Sequence, residues 1–456
     1  MTRVSRWPAL LAALLLSACA SLPDVRSLSG RVATKTAPTV ENSEGNLSAR
    51  AAHSMLVKRV RGTRNDVAKL AAMEEAATGS PLIAGNRTTL LFDGPQAIGA
   101  MLAAIRDATD NVNLETYIFD QDELGLQFQE LLIAKQKAGV QVNILYDGVG
   151  SLQTPKAFFD TMREAGIKLI EFNPINPLKH VGRGTLNNRD HRKILVVDGK
   201  VAFTGGVNIS ENYSRSSLFR SGGRPSDEPG WRDTHIQIEG PAVAAIQLLF
   251  LDAWASQRDG DIADREYFPP LSDVGDKLVR VLGSVPDGDF PIYRAYVLAI
   301  QESKQSIHLT AAYFAPDVQF LEAIKAAARR GVDVKMIFPS ISDAGLVLQA
   351  GHSFYAELLG AGVRIFELKA SVLHAKTGVI DRTWSTVGSS NLDVRSFLHN
   401  SEVNLVILGS DFGATMESAF AEDLKNSTEM TRERWDSRPL SQRIKEWAAR
   451  NFEYWL

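Results

Sequence analysis

The sequence almost lacks cysteine: its 456 residues include one, Cys19. A lone thiol excludes an internal disulfide and a cysteine-based zinc site. Histidine is sparse as well, with eight residues and no His-x3-His pair on one helix face. No dedicated metal site is therefore expected. Beyond the first twenty residues there is no apolar run long enough to span a bilayer. Charge of one sign is also lacking. Fifty Lys and Arg nearly cancel 53 Asp and Glu, leaving a formal net charge of −3. This excludes a global basic field that gathers nucleic acid, although not a local basic groove.

What is present is a globular composition, 45% hydrophobic and 23% charged, sufficient for a large core. At roughly 150 residues per domain, the length implies two or three units.

Residues 1–19 (MTRVSRWPALLAALLLSAC) read as an address. Arg3 and Arg6 form a basic start, and Trp7 to Leu16 an apolar run too short for a mature transmembrane helix. Leu16-Ser17-Ala18-Cys19 resembles the lipobox of bacterial lipoproteins, which implies cleavage before Cys19 and acylation of its thiol. Several acyl chains anchor a protein without a spanning helix. Ala20 follows, not aspartate. In a two-membrane bacterium, the resemblance to sorted lipoproteins then implies the outer membrane, facing the periplasm. Residues 20–76 are expected to be a tether, flexible to about residue 50, with a helix over Asp66–Ala77 that Gly79-Ser80-Pro81 ends.

The body repeats itself. Over 77–275, the periodicity predicts helices at Ile98–Thr109, Gln127–Gly139 and Phe158–Gly166. Strands are predicted at Asn111–Phe119, Val140–Tyr146 and Ile167–Phe172. Over 276–430 the same order returns. Helices are predicted at Tyr293–Glu302, Phe320–Gly331 and Phe354–Gly362, and strands at Ser306–Phe314, Val332–Phe338 and Val363–Leu368. The expected fold is α/β: two domains related by internal duplication, each a mostly parallel mixed sheet flanked by helices.

A motif repeats with it. His191-x-Lys193-x4-Asp198 leads to Gly205 and Asn208, and His374-x-Lys376-x4-Asp381 leads to Gly388 and Asn391, at identical spacings. One such five-residue match is expected by chance in about one random chain in ten thousand. Two at corresponding places are not chance. The apolar runs on either side of Asp198-Gly199-Lys200 predict a hairpin. Extended chain before it turns His191 and Lys193 to one face, and likewise His374 and Lys376. Such a set suits a phosphodiester. A neutral imidazole attacks phosphorus, and a protonated one opposite donates to the leaving alkoxide. Lysines and asparagine amides hold the non-bridging oxygens. Neither metal nor nucleotide cofactor is needed.

These paired motifs resemble those of the phospholipase D superfamily. Over about residues 77–456 the chain is most similar to its bacterial cardiolipin synthases. Flanking stretches support this, including Asn188-Arg189-Asp190, Trp231-Arg232-Asp233-Thr234-His235 and Gly388-Ser389-Ser390-Asn391-Leu392-Asp393-Val394-Arg395-Ser396-Phe397. The resemblance implies an active site at the domain interface, a phosphohistidine on His191, and His374 as acid and then base. It also implies a carboxylate behind each histidine, for which Asp233 and Glu402 are the candidates. Asp198 and Asp381 then become structural turn residues. The implied reaction joins two phosphatidylglycerols into cardiolipin and glycerol. The alternatives are hydrolysis by the same route, on phospholipid or nucleic acid, and a non-catalytic membrane tether. The anchor favours a phospholipid substrate over nucleic acid.

Other residues stay open at this level. Tyr117 and Tyr313 end equivalent strands, and either line a shared cleft or pack at the interface. Asp147-Gly148 is a site loop or a turn. His399 stands where the family carries another residue. The segment 431–456 places Ile444, Trp447, Ala448, Phe452 and Trp455 on one helical face, for the membrane or for the body.

Overall fold

Seven strands build each half of the computed structural model, which describes residues 21–34, 37–60, 66–175, 186–214, 230–257, 261–369 and 371–451. In the first half they are β1 (Leu82–Leu91), β2 (Asn111–Thr116), β3 (Gln141–Asp147), β4 (Lys168–Phe172), β5 (Ile194–Val197), β6 (Val201–Gly205) and β7 (His235–Glu239). In the second they are β8 (Lys277–Ser284), β9 (Ser306–Ala311), β10 (Asp333–Pro339), β11 (Arg364–Leu368), β12 (Lys376–Ile380), β13 (Trp384–Gly388) and β14 (Asn400–Leu408). The first sheet runs β4-β3-β2-β5-β6-β7-β1. The second runs β11-β10-β9-β12-β13-β14-β8. Seven strands thus correspond between the halves, and Ser427–Met430 adds an antiparallel edge strand beside β11 in the second. In each half only the first three strands pair in parallel; the rest are antiparallel, so the sheets are mixed rather than mostly parallel. The antiparallel part comes from the motif hairpin and the strands after it, which need no crossover helix.

The halves join edge to edge, because β8 pairs antiparallel with β1. Crossover helices such as Glu123–Lys137 and Val318–Arg329 cover the sheets, each started by an aspartate cap, Asp122 and Asp317. The helix expected over Phe354–Gly362 stands as Tyr355–Gly360, preceded by an additional helix, Gly345–His352.

The flexible tether is not what is found. Val25, Leu28, Val40 and Leu56 are buried in the core of the second half. Val25 N donates to Gln319 Oε1, and its carbonyl accepts from Gln301 Nε2. Val40–Asn42 pairs parallel with the start of β1, and Ser48 caps a helix over Ala49–Arg59. Widely spaced apolar residues carry this packing, and mean composition does not register them. The helix Val67–Thr78 buries Glu74 against Arg280 of β8, at 3.0 Å.

Asp198 and Asp381 open the two motif hairpins with φ of 52° and 50°. Asp198 accepts hydrogen bonds from the amides of Thr109, Asp110 and Asn111. Asp381 accepts from those of Lys304, Gln305 and Ser306. Each aspartate clamps the start of the neighbouring strand.

Candidate active site

Each motif histidine is delivered by a short parallel pairing with the opposite half. Arg189–Asp190 pairs with Asn400–Ser401, and Val372–Leu373 with Trp231–Arg232. His191 N then donates to Ser401 O at 3.0 Å, and His374 N to Arg232 O at 2.8 Å. This register sets the carboxylates crosswise. His191 Nδ1 lies 3.0 Å from Glu402 Oε1, and His374 Nδ1 lies 2.7 Å from Asp233 Oδ2. Each motif histidine is thus backed by a carboxylate of the opposite half.

Both histidines and both motif asparagines line one cavity of about 360 Å³, as do Tyr117 and Tyr313. The lysines lie just behind it. Lys193 Nζ donates to His191 O at 2.6 Å and sits 5.2 Å from the Tyr117 ring centroid. Lys376 donates to His374 O. Of the open residues, Asp147 is a turn: it accepts from the amides of Val149, Gly150 and Asp190. His399 gives its carbonyl to Arg189 N.

The carboxylates differ by one methylene, and the backbone differs to match. The shorter Asp233 reaches His374 only because Gly206 lets it close. A Cβ there would lie 2.1 Å from Asp233 Oδ1. The longer Glu402 leaves room at the equivalent position, where Ser389 Oγ donates to it. Tyr213 was not singled out in the sequence. Its hydroxyl accepts from Asn208 Nδ2 at 2.7 Å, and its ring lies 5.7 Å from that of His374. Only a pattern linking it to the second motif would have revealed it, and it sits in the first half.

Burial dominates the electrostatics. It lowers His191 to about 4 against the pull of Glu402, and with Lys376 it holds His374 below its ordinary value. Burial lowers Lys193 to about 7 and Lys376 to about 8. Burial alone would raise Glu402 and Asp233, but their histidines and the lysines hold both down, Glu402 at about 2. Both carboxylates are therefore anionic at neutral pH, fit to accept a ring N–H and hold Nε2 toward the cavity.

A pH profile follows. His191 is neutral above about 4, the form a nucleophile needs. If His374 is the acid, it must carry a proton, and burial with Lys376 makes it lose that proton below its ordinary value. The lysines lose charge at about 7 and about 8. On a short-chain phosphodiester, kcat/KM is expected to peak at mildly acidic pH and fall through the neutral range. An optimum above pH 8 would contradict this assignment of charge.

Fold and site together define a duplicated, histidine-based phosphodiester-transfer enzyme. A family profile described as cardiolipin synthase, phospholipase D-like domain, matches residues 101–218 and 296–424. The chain is 35% identical over 376 residues to a cardiolipin synthase of Alkalihalophilus pseudofirmus, covering 81% of this chain and 72% of that one. It is 36% identical over 378 residues to cardiolipin synthase 1 of Bacillus cereus, with the same coverage. The crystal structure of phosphatidylserine synthase from Haemophilus influenzae shares the fold, with a TM-score of 0.63 at 14% identity over 81% of this chain and 95% of that one. The chain belongs to the cardiolipin synthase family of phospholipase D-like phosphatidyltransferases.

Proposed function

We propose that this enzyme makes cardiolipin from two phosphatidylglycerols through a phosphatidyl-histidine. The observation that carries the proposal is the pair of buried histidines in one cavity, each backed by the other half's carboxylate. His191 Nε2 attacks phosphorus and forms the P–N bond. The P–O bond to glycerol breaks, and His374 gives that oxygen its proton. A hydroxyl of a second phosphatidylglycerol then gives its proton to His374 and forms a new P–O bond, while the P–N bond breaks. The incoming anionic phosphodiester offsets the burial that discharges His374 and the lysines. Asn208 and Asn391 supply amide donors to the non-bridging oxygens. Purified protein on phosphatidylglycerol vesicles is expected to yield cardiolipin and glycerol in equal amounts by mass spectrometry. Phosphatidic acid as the sole product would mean hydrolysis instead.

For location, we propose a lipid anchor on Cys19, in the outer membrane and facing the periplasm. Cys19 lies outside the described residues. Among those residues no helix is long and apolar enough to cross a membrane. The helix Leu440–Arg450 supports contact with a lipid surface. It packs inward through Glu446 and Ala449 and turns Leu440, Ile444 and Trp447 outward, with Leu440 and Trp447 each 71% exposed. Phe452 and Trp455 lie beyond the described residues. Cys19→Ser is expected to move the protein from the membrane to the soluble fraction on cell fractionation. Unchanged membrane retention and unchanged electrophoretic mobility would remove the anchor.

A further inference from the structure

The cavity is electrically lopsided, although the halves that form it are duplicates. On the His191 side stand Arg189 and Arg395. Arg189 is two residues from His191, and its charge is partly offset by the buried Asp147 at 3.5 Å. Arg395 donates to the Asn187 side chain at 2.9 Å and to its carbonyl at 3.2 Å, and it interacts electrostatically with Asp393. Both arginines act on Tyr117, against the charges of Asp147 and Glu402, and its ring is 5.0 Å from that of His191. On the His374 side stands a carboxylate, Asp343. Both of its oxygens accept from the Tyr313 hydroxyl, at 2.7 and 2.8 Å, and Ser342 Oγ reaches it at 3.3 Å. The Tyr313 ring lies 6.2 Å from that of His374. The negative charge of Asp343 acts on His374 and Lys376. Among the described residues no cation pairs with it.

The cavity's other carboxylate, Asp393, is pushed up to about 7 by burial and accepts from Ser396 N at 2.6 Å. Asp343 is an odd wall for a cavity that must take an anionic phosphodiester, since like charges repel there. It becomes favourable if the substrate presents hydrogen-bond donors to it. A carboxylate is acceptor-only and has about four lone-pair sites. Tyr313 and Ser342 leave some of them free. Hydroxyls bonded to an ionised acceptor form charge-assisted bonds, roughly twice as strong as neutral ones.

We propose that Asp343, steadied by Tyr313, is the specificity residue for the alcohol that leaves and re-enters at the His374 side, and that it reads the hydroxyls of a glycerol headgroup. This rests on the phosphatidylglycerol reaction above and sharpens it. The alcohol occupies the acidic side, next to the histidine that protonates its oxygen. The phosphatidyl group remains on the basic side, bonded to His191. The asymmetry thereby separates the roles of two histidines that the repeat makes look alike.

The experiment offers the wild-type enzyme phosphatidylglycerol vesicles with equal concentrations of glycerol, ethanol and ethanolamine. Isotopically labelled glycerol distinguishes the new product from the donor. Mass spectrometry gives the ratio of glycerol to ethanol transfer. Asp343→Ala is expected to lower that ratio at least tenfold, and Asp343→Asn, which keeps one carbonyl acceptor, to lower it less. Circular dichroism confirms that each variant is folded. An unchanged ratio in Asp343→Ala overturns the proposal. So does loss of ethanolamine transfer with glycerol transfer kept, because the carboxylate would then read an ammonium. A shift caused by Arg395→Ala and not by Asp343→Ala would put the alcohol on the other side and also overturn it. Absence of any glycerol release by the wild type would instead sink the phosphatidylglycerol reaction itself.

Discussion

A His191→Ala variant is expected to form no covalent phosphatidyl-enzyme and to turn over roughly 10⁴- to 10⁶-fold more slowly, since it loses the proposed nucleophile. His374→Ala is expected to differ in kind. It keeps the nucleophile and loses the proton donor, at a cost of roughly 10²- to 10⁴-fold. It also loses the base that activates the second alcohol, so the adduct on His191 accumulates. Intact-protein mass spectrometry after an alkaline quench separates the two, because P–N bonds hydrolyse in acid. An adduct on His191→Ala and none on His374→Ala would exchange the roles. Glu402→Gln should resemble a weaker His191 variant even though Glu402 lies in the other half, because it backs His191 at 3.0 Å.

Glu74→Ala is expected to lower unfolding stability by about 3–5 kcal/mol, the usual cost of leaving one partner of a buried ion pair alone. Glu74 and Arg280 are both fully buried, 3.0 Å apart. Trp384 Nε1 donates to the other Glu74 oxygen at 2.6 Å, and Arg280 also reaches Ala71 O. The variant therefore strands an arginine charge and an indole N–H together. Urea denaturation at pH 8.5, where Glu74, pushed up by burial to about 7, is ionised, measures the loss. A change under 1 kcal/mol would mean that Arg280 finds water or another partner. Replacing Glu74 and Arg280 together with apolar residues of similar volume should recover most of the loss, because no uncompensated charge remains. Since the pair ties the N-terminal helix to β8, protease sensitivity should rise first near residues 66–80 in the single variant.

Much of this molecule was readable in one dimension. Repeat and motif share a period, so equivalent strands, hairpins and histidines could be matched by spacing alone. Asp198 and Asp381 were readable as turn residues because a hairpin must close there. The N-terminal segment was misread as a flexible tether because Val25, Leu28, Val40 and Leu56 show no period; they are buried one at a time in pockets made by distant residues. Asp343 escaped notice for a related reason. It lies in a loop after β10, and a loop aspartate alone does not reveal which cavity it borders. Tyr213 contacts a motif asparagine of its own half and a histidine of the other, a relation that no spacing encodes.

By itself the sequence determined two His-Lys sets with fixed spacing, and the family resemblance alone pointed to two carboxylates behind them. Local forces suffice for the His-Lys sets, since strand alternation and hairpin turns dictate which side chains share a face. The tertiary structure decided how the sets combine. Because the residues before each histidine pair with strands of the opposite half, His191 is backed by Glu402 and His374 by Asp233. That exchange is a long-range register, and it leaves the two duplicate halves with one shared, asymmetric site.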